Sequence, residues 1–151
     1  AKKLIEKIDE YLESMNPEFK KGDVVASQVF IGGSFGLVRL NEDLTNRSAL
    51  VDGFLYTKRD CDIAEVSLRV FKEDTRHATP EEIAEYEVAL TFHKHGRKPF
   101  ELKRGDVVYL KGYDKNIFLD SGNIYKKHNF VDGDVVLVKT VEEVNEWLEN
   151  K

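Results

Sequence analysis

The sequence predicts an α+β fold in which two small, mostly antiparallel β units are flanked or bridged by three amphipathic helices. Three observations carry this expectation. Short runs rich in β-branched residues are separated by tight turns, without the long crossover that a parallel sheet needs after each strand. Two stretches carry helix-start signatures, Thr79-Pro80-Glu81-Glu82 and Thr140-Val141-Glu142-Glu143. Finally, Gly-Asp-Val-Val occurs twice after a similar approach, as Phe19-Lys20-Lys21-Gly22-Asp23-Val24-Val25 and Leu102-Lys103-Arg104-Gly105-Asp106-Val107-Val108, with a looser copy at Phe130-Val131-Asp132-Gly133-Asp134-Val135-Val136.

Residues 3–15 place Leu4, Ile5, Ile8, Leu12 and Met15 at helical spacing, with Glu6, Lys7, Glu10 and Glu13 outward, and Pro17 closes the segment. Strands are expected at 24–31, at 37–40 after the turn Gly32-Gly33-Ser34-Phe35-Gly36, at 49–57 and at 63–71. The last alternates most clearly, Ala64, Val66, Leu68 and Val70 against Glu65, Ser67 and Arg69. Thr79 then caps a helix with Pro80 in its first turn, Ile83, Tyr86 and Leu90 on one side and Gly96 as its stop. A second β unit follows at 107–111, 116–119, 123–127 and 135–139, with Asp120-Ser121-Gly122-Asn123 as a hairpin turn. Thr140 caps a last helix expected to bury Val141, Val144 and either Trp147 or Leu148. The domain reading is 1–78 for an N-terminal helix and first β unit, 79–96 for a bridging helix, and 97–151 for the second β unit and C-terminal helix. Glycine-aspartate turns that open β-branched strands favour SH3-like barrels for both units, with one continuous shared core as the alternative.

Composition narrows the function classes. A chain of 151 residues with 41% hydrophobic and 11% aromatic side chains can build real cores. Its net charge of −5 argues against indiscriminate coating of nucleic acid. Cys61 is the only cysteine, so no internal disulfide or cysteine-based zinc site is expected and a reducing cytoplasm fits. No apolar run approaches the roughly 20 residues of a membrane span, and charge interrupts the first residues too early for a signal peptide. The expectation is a soluble, cytoplasmic protein.

The densest basic stretch is Lys94, Arg97, Lys98, Lys103 and Arg104, opposed only by Glu101, and Lys20 and Lys21 repeat its position in the first unit. Lys126-Lys127-His128 adds a cluster near Tyr125. Cations in a turn that projects beyond a sheet can meet phosphates, which makes Lys94, Arg97, Lys98, Lys103, Arg104, Lys20 and Lys21 candidate nucleic-acid contacts. The alternative is a solvated face that balances acidic helices. His93 and His95 cannot share a helix face, so no metal site is expected. The glycine run at 32–36 leads into a strand rather than a helix, which argues for a hairpin and against a phosphate loop. Phe35 at its end would be a partner anchor if exposed. Cys61 lies between Asp60 and Asp62, a setting that disfavours a thiolate nucleophile. The carboxylate pairs Glu81-Glu82 and Glu142-Glu143 fit helix starts, and Asp23, Asp106 and Asp134 fit turns. No catalytic residue and no cofactor is expected.

Arg76-His77-Ala78-Thr79-Pro80-Glu81-Glu82-Ile83, Lys94-His95-Gly96-Arg97-Lys98 and Phe100-Glu101-Leu102-Lys103-Arg104-Gly105-Asp106-Val107-Val108 together resemble a region of uncharacterised small proteins of bacteriophages infecting Gram-positive bacteria. In those proteins a helix opening with Ala-Thr-Pro-Glu-Glu leads into an SH3-like strand. The resemblance spans about a third of the chain. It implies a phage or prophage origin, a place in the host cytoplasm and a role in binding a host or viral component, and it carries no catalytic residues. The expected function is therefore a non-enzymatic binding module for a protein partner, engaged through strand edges and loop aromatics. The alternative is a nucleic-acid-binding small β-barrel with Tyr109 or Tyr125 as a stacking surface. A further alternative, a small-ligand or nucleotide sequestering protein, needs a pocket between the units.

Overall fold

A computed structural model describes residues 4, 6–8, 18–28, 35–122 and 124–151. Of the helix expected at 3–15, Leu4 and residues 6–8 are helical and exposed, and the remaining positions lie outside the described residues. So do residues 29–31 of the first expected strand, Gly32 to Ser34 of the glycine turn, and Asn123. The chain divides into one unit of Ala1–Leu55 and Glu65–Ala78 and a second of Tyr56–Ala64 and Thr79–Lys151. The architecture is α+β with two antiparallel sheets, and neither closes into a barrel among the described residues.

The five-stranded sheet, which apart from Tyr56–Ala64 belongs to the first unit, contains β1 (Val24–Gln28), β2 (Phe35–Arg39), β3 (Ser48–Thr57) and β4 (Asp62–Phe71), followed by a 3-10 turn at Lys72–Asp74 and by β5 (Thr75–His77). Their order is β4-β3-β2-β1-β5. β1 is an inner strand, with Ala26 opposite Leu37 on one side and Arg76 on the other. Val24 to Ser27 are accordingly all buried, which removes any alternation along them. Phe19, Val25, Val38, Leu40, Leu44, Val51 and Val70 lie in the core of this unit, with Val66 and Leu68 packed against it. Ala64 is exposed and Ile63 is buried in its place.

β5 has no hydrophobic pattern to announce it. Side-chain hydrogen bonds fix it: Thr75 Oγ1 donates to the Phe71 carbonyl at 2.7 Å and lies 2.9 Å from Ser27 Oγ. The amide of Ala78 continues the ladder by donating to the Val24 carbonyl at 3.2 Å.

The second unit contains α1 (Pro80–Lys94), β6 (Val107–Leu110), β7 (Lys115–Phe118), α2 (Lys127–Val131), β8 (Val135–Lys139) and α3 (Val141–Glu149). Its sheet has the order β7-β6-β8. α1 begins with the capping box read from the sequence, the Glu82 amide donating to Thr79 Oγ1 and the Thr79 amide to Glu82 Oε1. It ends at Gly96, whose φ of +76° suits glycine. Its buried face is Glu85, Tyr86, Ala89 and Phe92, whereas Ile83 is exposed and Leu90 only half-buried. Phe92 meets Phe130 edge-on at 5.2 Å between ring centroids, and Leu102, Val108, Leu119, Val135 and Leu137 complete that core.

The strand expected at 123–127 is not formed: residues 124–126 are irregular and Lys127 opens α2. The Lys126 amide bonds Asn129 Oδ1 at 2.9 Å, and burial of Phe130 with Tyr125 at its edge holds the turn of helix in place. The third Gly-Asp copy terminates this helix. Gly133, at φ +81°, donates to the Phe130 carbonyl and Asp134 to that of Asn129.

Candidate interaction surface

The two close Gly-Asp-Val-Val copies build the same turn. In the first, the Asp23 amide donates to the Lys20 carbonyl at 3.0 Å, the Asp23 carboxylate accepts from the Lys20 amide at 2.9 Å, and Gly22 has φ +93°. Reciprocal bonds then join Gly22 N–H to Leu40 O and Leu40 N–H to Asp23 O, both at 2.9 Å. The second copy repeats each contact: Asp106 to Lys103 at 3.1 Å, Lys103 to the Asp106 carboxylate at 2.7 Å, φ +93° at Gly105, and the reciprocal pair with Leu119 at 2.9 Å. Asp23 is half-buried, but Asp106 has no exposed surface at all.

What buries Asp106 is Arg97. Its backbone N–H completes the end of α1 by donating to the Phe92 carbonyl at 2.9 Å. The guanidinium then forks onto Asp106, Nη1 to Oδ2 at 2.7 Å and Nη2 to Oδ1 at 2.8 Å, while Nη2 also reaches Glu142 Oε2 at 2.6 Å. The Val141 amide, the first N–H of α3, donates to Asp106 Oδ1 at 2.8 Å. The negative carboxylate thus sits at the positive end of the α3 dipole. Beside it, His95 Nδ1 lies 2.6 Å from Glu143 Oε1, and that oxygen also accepts from the Thr140 amide in a second capping box. Burial works to lower the Arg97 guanidinium, but Asp106 and then Glu142 outweigh it and hold the cation firmly charged. Burial likewise opposes the ionised form of Glu143, yet the Thr140 amide and His95 bring it below the ordinary carboxylate range.

Arg97 is therefore removed from the set of candidate nucleic-acid contacts. It is 5% exposed and its fork is occupied by carboxylates. Lys103 is exposed but shares Glu142 at 3.3 Å, and Lys20 lies 3.5 Å from Glu18. Lys94, Lys98, Arg104 and Lys21 are also on the surface.

The Arg97 hydrogen bond, then a backbone hydrogen bond at Glu142 itself and then Lys103, draw Glu142 from 4.5 down to about 2. For a carboxylate lowered in the folded state, the linked stability is complete above its unfolded value and disappears as pH falls through its folded value. Glu142→Gln should accordingly flatten the loss of stability between pH about 4.5 and about 2, by less than the full shift because its side chain is 57% exposed. Urea midpoints across that range measure this, and an unchanged acid limb would show that the contact contributes nothing.

α3 itself differs from expectation. Val141, Val144 and Leu148 follow at i, i+3 and i+7 with Trp147 beside them, yet no residue of the helix is buried. Trp147 and Leu148 are each 57% exposed, and Lys151 Nζ lies 4.1 Å from the Trp147 ring centroid. The first turn is anchored by charge and the remainder presents an apolar stripe. Phe35 is exposed as well, partly covered by Arg76, whose guanidinium lies 5.4 Å from the ring.

Two further features are assembled from residues distant in the sequence. In the first unit, Glu18, Phe19, Lys20, Asp43, Leu44, Thr45 and Lys72 line a cleft of about 350 Å³ with charges of both signs on its rim. In the second, the fully buried Tyr56 has its hydroxyl 3.8 Å from Cys61 Sγ and beside the Glu85 carboxylate. Burial first, then Glu85, pushes that phenol far above its ordinary range. Glu85 Oε1 pairs with Lys127 Nζ at 2.7 Å, and Oε2 is buried without a hydrogen bond. Helical spacing does reveal that Glu85 shares a face with Ala89 and Phe92; its partners Tyr56 and Lys127 are too distant in sequence to be read. Comparison with protein-family models, with curated proteins and with solved structures gives no match.

Proposed function

We propose that the chain is a non-enzymatic binding module that engages a protein partner through the apolar stripe of α3. The observation that carries this reading is the exposure of Trp147 and Leu148 on a helix whose first turn is rigidly held. Such a stripe gains by entering an apolar groove, the mode in which amphipathic helices bind with anchors at i, i+3 and i+7. Tryptophan is also the side chain most enriched where binding energy concentrates. The first unit fits an SH3-like module, since four meandering strands and a 3-10 turn are followed by a fifth strand returning to β1. A phage origin, and a host or viral protein of the host cytoplasm as partner, belong to the same proposal. Nucleic acid has less support, because Arg97 is internal and Lys103 shares a carboxylate.

Trp147 is the only tryptophan, so its fluorescence reports this surface alone. Free protein should show water-like emission that shifts to shorter wavelength on adding the partner captured from a host lysate. Trp147→Ala should change stability by no more than about 0.5 kcal/mol, as at other surface sites. It should also weaken capture by about thirtyfold or more, as for a hot spot of about 2 kcal/mol. Capture unaffected by Trp147→Ala and by Leu148→Ala would refute the reading.

A further inference from the structure

We infer that the open edge of β7 takes an extended peptide segment as a fourth strand of the second sheet. In the order β7-β6-β8, β7 has one neighbour and its other side is unpaired among the described residues. Which backbone groups face that side follows from the ladder. Val108 opposes Ile117 and Leu110 opposes Lys115, and the Leu119 amide donates to the Asp106 carbonyl at 2.9 Å. In an antiparallel pair the hydrogen-bonding positions alternate. Residues 115, 117 and 119 therefore face β6, and Asn116 and Phe118 point N–H and C=O outward.

The two edges of this sheet are not equivalent. On β8 the core-facing Val135 and Leu137 are 3% and 4% exposed and the outward-facing Val136 is 43% exposed. On β7, Lys115 and Asn116 are exposed and Phe118 is 67% exposed. Edges that proteins keep closed carry proline, a bulge or several charges. β7 has no proline and a single charge, and the register shift of the sheet falls on the β6–β8 side.

The side chains define the occupant. Phe118 and Tyr109 lie on the face opposite the core, because Val108, Ile117 and Leu137 form the inward row. A strand laid along β7 would set an apolar side chain beside Phe118 and a smaller one beside Ile117. At the other end Lys115 forms no ion pair among the described residues, and the neighbouring Asp114 accepts from the Tyr109 hydroxyl. Backbone groups would supply affinity and these pockets selectivity, as in other strand additions. The partner is an extended segment running antiparallel to β7, with two adjacent apolar residues and an acidic one two positions later, and this surface is independent of the α3 stripe.

The probe is a displayed library of random linear peptides selected against the whole chain. Selected peptides should carry an apolar pair with an acidic residue two positions later, and should slow hydrogen exchange at the Asn116 and Phe118 amides. Asn116→Pro removes an outward N–H at an edge position that tolerates proline, and should weaken binding by about tenfold or more. Should that variant not fold, the selected peptide N-methylated at alternate residues tests the same bonds and should bind comparably worse. Trp147→Ala should leave peptide binding unchanged. The inference is overturned if selection yields no binder, if protection falls elsewhere, or if binding survives both the proline variant and N-methylation.

Discussion

Replacing Arg97 by methionine is expected to lower the unfolding free energy by about 3–5 kcal/mol, the usual cost of removing one partner from a buried ion pair. Asp106 has no exposed surface and would keep only the Lys103 and Val141 amides as hydrogen-bond donors. Lysine should rescue little, because one ammonium cannot occupy both carboxylate oxygens and reach Glu142 as the fork does. Urea unfolding measures the effect, and a cost below about 1 kcal/mol would mean that the guanidinium is effectively solvated. Arg97 variants are consequently poor tests of nucleic-acid binding, since weaker binding would reflect loss of the α3 anchor. Lys94, Lys98 and Arg104 are better tests, being exposed.

Legibility in the sequence followed the range of the interactions. Both capping boxes were readable because threonine and glutamate meet across three residues. The paired Gly-Asp turns were readable for the same reason. β5 was not, because three residues without apolar periodicity are held by partners at Ser27 and Val25 far upstream. The strand expected at 123–127 failed because Tyr125 and Phe130 satisfy one aromatic cluster from a loop and a single turn of helix. At the candidate surface, the amphipathic pattern of α3 is visible in the sequence, but a pattern cannot say what covers the apolar side. The internal role of Arg97 was hidden by its neighbours: Lys98, Lys103 and Arg104 make a basic run, while Glu142 lies 45 positions away.

Alanine at Gly105 and at Gly22 should give unequal losses although the two turns share backbone geometry. At φ +93° an added Cβ costs about 1–2 kcal/mol in either place, since L side chains crowd the carbonyl in the left-handed region. At Gly22 that is the whole effect, because nothing lies within 4 Å of the added carbon. At Gly105 it would stand 2.8 Å from Val141 Cγ2 and 3.2 Å from Val141 Cβ. A β-branched residue in a helix has one strongly preferred rotamer, so Val141 cannot simply turn aside. Moving its backbone would lengthen the 2.8 Å bond from its amide to Asp106. Overpacking of this kind adds about 1–3 kcal/mol, which puts Gly105→Ala at about 2–5 kcal/mol. Val141→Ala in the same chain should recover part of the excess by deleting Cγ2, and a double-mutant cycle in urea reads that coupling directly. Equal costs at the two glycines, or no coupling to Val141, would mean that α3 does not rest on the second turn. Unequal costs would show one turn serving two purposes, opening a strand in both units and seating the helix only where its aspartate is buried.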